Sequence, residues 1–362
     1  MRQAMADAEV GDEQKREDPT VNLLEARAAA MLGQEEAVYV PTATMANEIA
    51  LRLHGEPGDE MLAEEHSHVL IAELGGPAAL SGFITRPLPG DRGRLSPDQI
   101  RGAARLWDDR HTPITRIVSI ENTHNSSGGC VWPLEEVSAI ADTCRELGLR
   151  LHLDGARLFN AAVALGLPAA EISRHADTVT ICLSKGLGCP LGALVAGSSE
   201  LMNRARRFKH LFGGAMRQAG IVAAAGVYAL DHNVERLAED HARAGRLADG
   251  LAAAGLPVRS GRRRDELRPA RRRLARSRVS RCARAPPSGR RRSLGDDPSR
   301  RAARPHPPGR DGRRHRPRDR ARPPRPRRPR PRIAAPPRKE APPVLHRIAE
   351  SSEKRTLAFS SC

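Results

Sequence analysis

Residues 151–160, LHLDGARLFN, and residues 177–192, DTVTICLSKGLGCPLG, decide how this chain is read. Each is a short apolar run that delivers a polar side chain at its end, first Asp154 and then, 31 positions later, Lys185. Runs of this length read as buried strands of a parallel sheet, and open α/β sheets place ligands at the carboxyl ends of such strands. A lysine at that edge, followed by Gly186-Leu187-Gly188, can form a Schiff base with an aldehyde cofactor, because glycines leave room for a ring. An aspartate at such a strand end can hold a pyridine nitrogen protonated and make the ring an electron sink. Arg157, three residues further on, can fork onto a substrate carboxylate. A lone strand-end lysine or aspartate reads as a turn cap or a surface charge. The ordered pair with its glycines does not.

Apolar periodicity alternates between helix and strand from residue 20 onward. TVNLLEARAAAML reads as an amphipathic helix stopped by Gly33, EEAVYVP as a strand, and TATMANEIALRLH as a helix with Thr42 and Thr44 as candidate caps. That strand-turn-helix aims backbone N–H groups at an anion, although any α/β protein has several such turns that do nothing more than cap. The pattern continues through EMLAEEHSHVLIAE, GFITRPLP, a helix over SPDQIRGAARLWDD, the strand TRIVSIENTHN and the helix PLEEVSAIADTCRELG. After the two opening stretches come GALVAGS, a basic helix ELMNRARRFKHLF, the loop GGAMRQAG and a long helix around NVERLAEDHARAGRLADGLAAAG. Strands alternating with helices imply βαβ units, so the fold class is α/β, a mostly parallel sheet flanked by helices.

Charge divides the chain near Val258. Residues 1–258 carry 25 Lys+Arg against 34 Asp+Glu, whereas residues 259–362 carry 35 against 9, so the net charge of +17 belongs to the tail. That tail is about half Arg and Pro, with 33 Arg and 2 Lys. Such a composition cannot bury enough apolar surface to offset its ordering entropy, and disorder is the expectation. The six cysteines show neither C-x-x-C nor metal-ligand spacing and read as reduced thiols of a cytoplasmic protein, with no metal site. No signal peptide and no apolar run of bilayer length is present, so a membrane is not expected as a partner.

EDPTVNLLE, VPTATMAN, EEHSHVLIAELGG, IENTHNSSGG, HLDGARLFNA, TICLSKGLGCPLG and GGAMRQAGI stand in the order and spacing of the threonine aldolases, and residues 10–258 resemble that family of β-eliminating lyases with the aspartate-aminotransferase fold. The resemblance implies a pyridoxal 5'-phosphate (PLP) cofactor bound through Lys185, with Asp154 on the pyridinium nitrogen. It implies that His68 stacks on the ring near the substrate hydroxyl and that His111 lies near that hydroxyl as a second catalytic histidine. It places Ala43 and Thr44 at the phosphate turn, where the family has Gly-Thr. Arg217 would approach the phosphate across a subunit interface, with His210 standing where relatives carry lysine, and Arg157 would hold the substrate carboxylate. The implied reaction is retro-aldol cleavage of L-threonine, L-allo-threonine or a related 3-hydroxy amino acid to glycine and an aldehyde, by a homo-oligomer, a dimer or a tetramer built from dimers.

Both ends depart from the pattern. Residues 1–13 lack the family's opening RSDTVT-like segment and read as truncated; residues 14–258 read as the cofactor-binding large domain. From residue 259 the expected C-terminal small domain is replaced by the Arg/Pro-rich tail, whose abrupt onset and lysine poverty suggest a GC-rich gene read out of frame. Two alternatives follow: a catalytically inactive PLP-fold protein, or non-specific nucleic-acid binding through the tail. The tail's only aromatic residue is Phe359, so it offers no stacking platform for bases.

Overall fold

The structure is a computed structural model and describes residues 1–106 and 110–258. The readings made for the tail and for Trp107–Asp109 lie outside the described residues. Seven strands, β1 (Glu36–Val40), β2 (Glu60–Glu64), β3 (Ile84–Leu88), β4 (Thr115–Glu121), β5 (Arg150–Gly155), β6 (Thr178–Cys182) and β7 (Ala193–Gly197), form one sheet in the order β1-β7-β6-β5-β4-β2-β3. All neighbours are parallel except β7, which runs antiparallel between β1 and β6. The reversal follows from connection length. Only residues 183–192 separate β6 from β7, too few for the crossover of a dozen or more residues that parallel neighbours need. Leu183 N–H to the Gly192 carbonyl (2.9 Å) and Cys189 N–H to the Leu183 carbonyl (3.0 Å) hold that turn.

The helices are α1 (Arg2–Ala6), α2 (Pro19–Leu32), α3 (Ala43–Leu53), α4 (His68–Ile71), α5 (Pro97–Ala103), α6 (Leu134–Glu146), α7 (Leu158–Leu165), α8 (Ala169–Ser173), α9 (Ser199–Leu211), α10 (Gly220–His232) and α11 (Leu237–Ala253). Local chemistry sets their ends. Asp18 Oδ1 accepts from the Thr20 and Val21 amides to cap α2, Pro19 occupies its first turn, and Gly33 closes it in the left-handed conformation. Thr42 Oγ1 accepts from Met45 N–H (3.2 Å) and caps α3. α5 is shorter than the pattern predicts. It stops at Ala103 because Arg105 turns away to bond Thr115 through its N–H to Oγ1 (2.9 Å) and its carbonyl to N–H (2.9 Å).

Strand alternation divides the core into two faces. Ala37, Tyr39, Leu194 and Ala196 join a large cluster with α2, α6 and α10, while Val38, Val40, Ala193 and Val195 pack with α3 and α9 on the other side. In the centre the second face turns polar. Leu151, Leu153, Val179 and Ile181 belong to the large cluster, but His152, Asp154, Thr178 and Thr180 alternate with them and are buried. These four bring polar side chains into the interior under α3.

Candidate active site

Asp154 lies near the end of β5, opposite Thr180 of β6, and is 2% exposed. Its Oδ1 accepts from Ala156 N–H (3.0 Å) and its Oδ2 from Asn47 Nδ2 (2.9 Å). No lysine or arginine among the described residues forms an ion pair with it, so this buried carboxylate has only amide donors and the nearby His68 for company. Burying a carboxylate without a cation is costly, and a cationic ring N–H is the kind of ligand that would offset it.

Lys185 follows β6 by three residues, and its carbonyl accepts from Gly188 N–H (2.9 Å). It is half-buried, with no ion pair among the described residues. The glycines after it have local roles in the fold. A Cβ on Gly186 would come 2.7 Å from Leu237 Cδ2, and Gly188 has φ +77°, so one admits α11 and the other makes the turn.

His68 opens α4 with its N–H on Glu121 Oε2 (2.8 Å), and its Nδ1 stands 2.7 Å from Glu73 Oε1. The Glu73 hydrogen bond holds the His68 pKa above the ordinary value, against the opposing effect of partial burial. Glu73 Oε1 also accepts from Asn47 Nδ2 (2.9 Å). Ligating atoms of His68, Glu73 and Asp154 all lie within 4.8 Å of one another, so the expected ring-stacking histidine and the pyridine-nitrogen aspartate are brought together. Glu121 supports the group; burial, then the charge of Asp154, raises its pKa.

Ala43 and Thr44 open α3, where backbone amides lack intrahelical acceptors and the positive helix end favours an anion. Gly at position 43 is unnecessary because Ala43 is helical there. Arg157 caps α7, half-buried and without an ion pair among the described residues. Three candidates stand apart from this cluster. Arg217 and His210 are exposed and line a separate cavity of about 840 Å³ with Glu13, Lys15, Arg206 and Lys209, where Arg217 Nη1 bonds Asp12 Oδ2 (2.9 Å). His111 is exposed and precedes the amino end of β4, whereas Asp154 lies near the carboxyl end of β5 and Lys185 follows that of β6. Asn47 and Glu121 were not singled out by sequence reasoning.

A mostly parallel sheet with a lysine and a buried aspartate at adjacent strand ends, neither in an ion pair with a cation or carboxylate side chain among the described residues, beside a helix amino terminus, defines a PLP-binding α/β protein. Lys185, Asp154, His68 and the α3 amides are the residues that fit the cofactor. The chain belongs to the beta-eliminating lyase family, which it matches over residues 1–265. It is 44% identical over 259 residues to the low specificity L-threonine aldolase of Escherichia coli K12, covering 71% of this chain and 77% of that protein. Low-specificity L-threonine aldolase 1 of Arabidopsis thaliana is 38% identical over 256 residues, covering 69% and 71%. Leishmania major threonine aldolase superposes with a TM-score of 0.60 at 26% identity, covering 66% of this chain and 71% of that one. Against a solved Listeria monocytogenes structure of the same fold (TM-score 0.59, 27% identity), the match covers 67% of this chain and 66% of that one.

Proposed function

We propose that the protein is a PLP-dependent carbon-carbon lyase that cleaves L-threonine, L-allo-threonine and related 3-hydroxy amino acids to glycine and an aldehyde. The observation that carries this reading is the gathering of Asp154, His68 and Glu73 within 4.8 Å at the sheet edge that also bears Lys185. The cofactor, when bound, supplies an electron sink for the pair released from the Cα–Cβ bond. The remaining work falls to the chain. Lys185 anchors the cofactor aldehyde, and Asp154 holds the ring nitrogen in its protonated form. Ala43 and Thr44 offer amides to the phosphate, and Arg157 orients the substrate through its carboxylate. His68, whose Nδ1–H is engaged by Glu73, presents Nε2 as the base for the 3-hydroxyl proton, directly or through one water. Loss of that proton forms the aldehyde carbonyl as the Cα–Cβ bond breaks, and Cα then takes a proton to give glycine.

The placement of Arg217 and His210 away from Asp154 supports a homo-oligomer, dimer or tetramer, in which a second copy brings these groups to the phosphate and His111 to the substrate hydroxyl. Four buried free cysteines among the described residues, Cys130, Cys144, Cys182 and Cys189, support a reducing, cytoplasmic setting. No helix among the described residues is long and apolar enough to cross a membrane. Lys185→Ala tests the reading: the variant is expected to lose both the visible cofactor band and aldehyde release from threonine, and threonine cleavage at the wild-type rate would overturn it.

A further inference from the structure

Asn47 lies in the second turn of α3, with both amide hydrogens engaged on one side and its carbonyl oxygen on the other. Nδ2 is 2.9 Å from Asp154 Oδ2 and 2.9 Å from Glu73 Oε1, and Oδ1 is 3.2 Å from His152 Nε2. Two carboxylates accept and cannot donate, so the NH₂ must face them; the reverse orientation would put three oxygens in contact. Oδ1 must then accept, which makes His152 Nε2 the protonated nitrogen. His152 Nδ1 is left as an acceptor and stands 3.0 Å from Thr178 Oγ1, whose hydroxyl therefore donates to it. Thr178 Oγ1 in turn lies 3.0 Å from His54 Nε2, which donates. A single direction runs from His54 at the end of α3 through Thr178, His152 and Asn47 to the two carboxylates.

We propose that Asn47 is a positioning residue that ties the two halves of the cofactor floor together, fixing the ring-nitrogen carboxylate of Asp154 and the His68-orienting carboxylate of Glu73 with one amide, and that the His152–Thr178–His54 chain sets which way that amide faces. The inference rests on the lyase reading for what Asp154 and His68 do, but its hydrogen-bond direction stands on the chain alone. The six residues come from four places in the chain: His54 and Asn47 from the end and the second turn of α3, His152 and Asp154 from β5, Thr178 from β6 and Glu73 from beyond α4. His152 is fully buried, and burial pushes its pKa down to about 4, so it remains neutral with one donor and one acceptor, as the chain requires. A neutral relay delivers donors to Asp154 without adding a positive charge that would compete with the ring nitrogen.

The test uses the full chain with and without PLP. In the holoenzyme, Asn47→Ala is expected to weaken cofactor binding about tenfold or more, to shift the pH midpoint of the visible cofactor band, and to lower kcat with less than about a twofold change in KM for threonine. Thr178→Val removes the hydroxyl at nearly constant shape and is expected to move the same midpoint in the same direction by less. In the cofactor-free chain, ¹⁵N NMR of labelled histidine is expected to show His152 neutral and protonated on Nε2 at pH 7, and Thr178→Val is expected to mix its tautomers. A folded Asn47→Ala protein with wild-type cofactor affinity and midpoint would overturn the proposal, as would His152 protonated on Nδ1. If the wild type neither binds cofactor nor cleaves threonine, the lyase reading fails, and the proposal fails with it for Asp154 while the NMR result decides the direction of the chain.

Discussion

His68 Nδ1 and Glu73 Oε1 are 2.7 Å apart, and Glu73 is buried while His68 is partly open to solvent. The carboxylate therefore fixes the Nδ1–H tautomer and leaves Nε2 as the free base. It also raises the basicity of that nitrogen, since the hydrogen bond to Glu73 is the largest cause of the raised His68 pKa.

Glu73→Gln is expected to lower the His68 pKa. A protonated His68 cannot accept the hydroxyl proton, so activity rises with pH through this pKa, and the acid limb of the kcat/KM profile should move to lower pH in the variant. The plateau should fall as well, roughly tenfold, because the base weakens. An acid limb that stays in place would assign it to another group.

His152 gives the fold an acid sensitivity of its own. Its ordinary pKa is 6.5 and burial lowers it to about 4. At pH 5 the unfolded chain holds this proton and the folded chain does not, so stability should be complete above pH 6.5 and decline as pH falls towards 4. The loss from this group is on the order of 3 kcal/mol. Urea unfolding at a series of pH values should show it, and His152→Gln, which keeps a donor for Asn47 but does not titrate, should flatten the slope over that window.

Glu48 titrates in the opposite sense. Burial first, then the charge of Glu73, raises its pKa from 4.5 to about 9, so the folded chain holds a proton at neutral pH that the unfolded chain has released. Stability from this group falls as pH rises from 4.5 towards 9. Glu48→Gln, which carries donor hydrogens permanently, is expected to raise the unfolding free energy at pH 7 by about 1–2 kcal/mol and to have little effect at pH 4. Denaturant titration at the two pH values checks the difference.

The sheet was legible because its strands announce themselves as short apolar runs between turn residues, and Gly33 and Thr42 sit where their chemistry says helices end and begin. What escaped has physical reasons. α10, Gly220–His232, is apolar nearly all round, so it has no periodicity to detect; Gly226 lets it pack closely, since a Cβ there would come 2.9 Å from Leu24 and Leu183. In β5, His152 was read as part of an apolar run, whereas it and Asp154 form the polar half of a period-2 alternation. Asn47 carried no signal at all. Its importance comes from three partners 26, 105 and 107 positions away, a relation that only the folded chain contains.

Arg157 is half-buried, without an ion pair among the described residues, and three residues beyond Asp154, which makes it the candidate for the substrate carboxylate. Arg157→Ala is expected to raise KM for threonine by about tenfold to a hundredfold through loss of a charge-assisted pair. Cofactor affinity should be unchanged, since the ring and phosphate are held by other groups. Arg157→Lys should recover only part of the loss, because an ammonium cannot form the two parallel bonds of a guanidinium. Steady-state kinetics with a parallel absorbance titration of PLP separates the two effects.

Lys209 of α9 and Glu13 of the amino-terminal segment form an ion pair in which Lys209 is 2% exposed. Burial lowers the Lys209 pKa while Glu13 opposes the shift, and Glu13 Oε2 accepts from Met216 N–H (2.8 Å) as well, so the pair fastens the amino-terminal segment to the loop that carries Arg217. Removing one partner leaves a buried charge without compensation. Glu13→Gln is therefore expected to cost about 3 kcal/mol or more of stability, whereas the double variant Glu13→Gln with Lys209→Met, which removes both charges, should recover much of that loss. Thermal unfolding of the two single variants and the double variant forms the cycle. Single and double variants of equal stability would show that the amino-terminal segment contributes nothing to the fold through this pair, and that Arg217 is positioned without it.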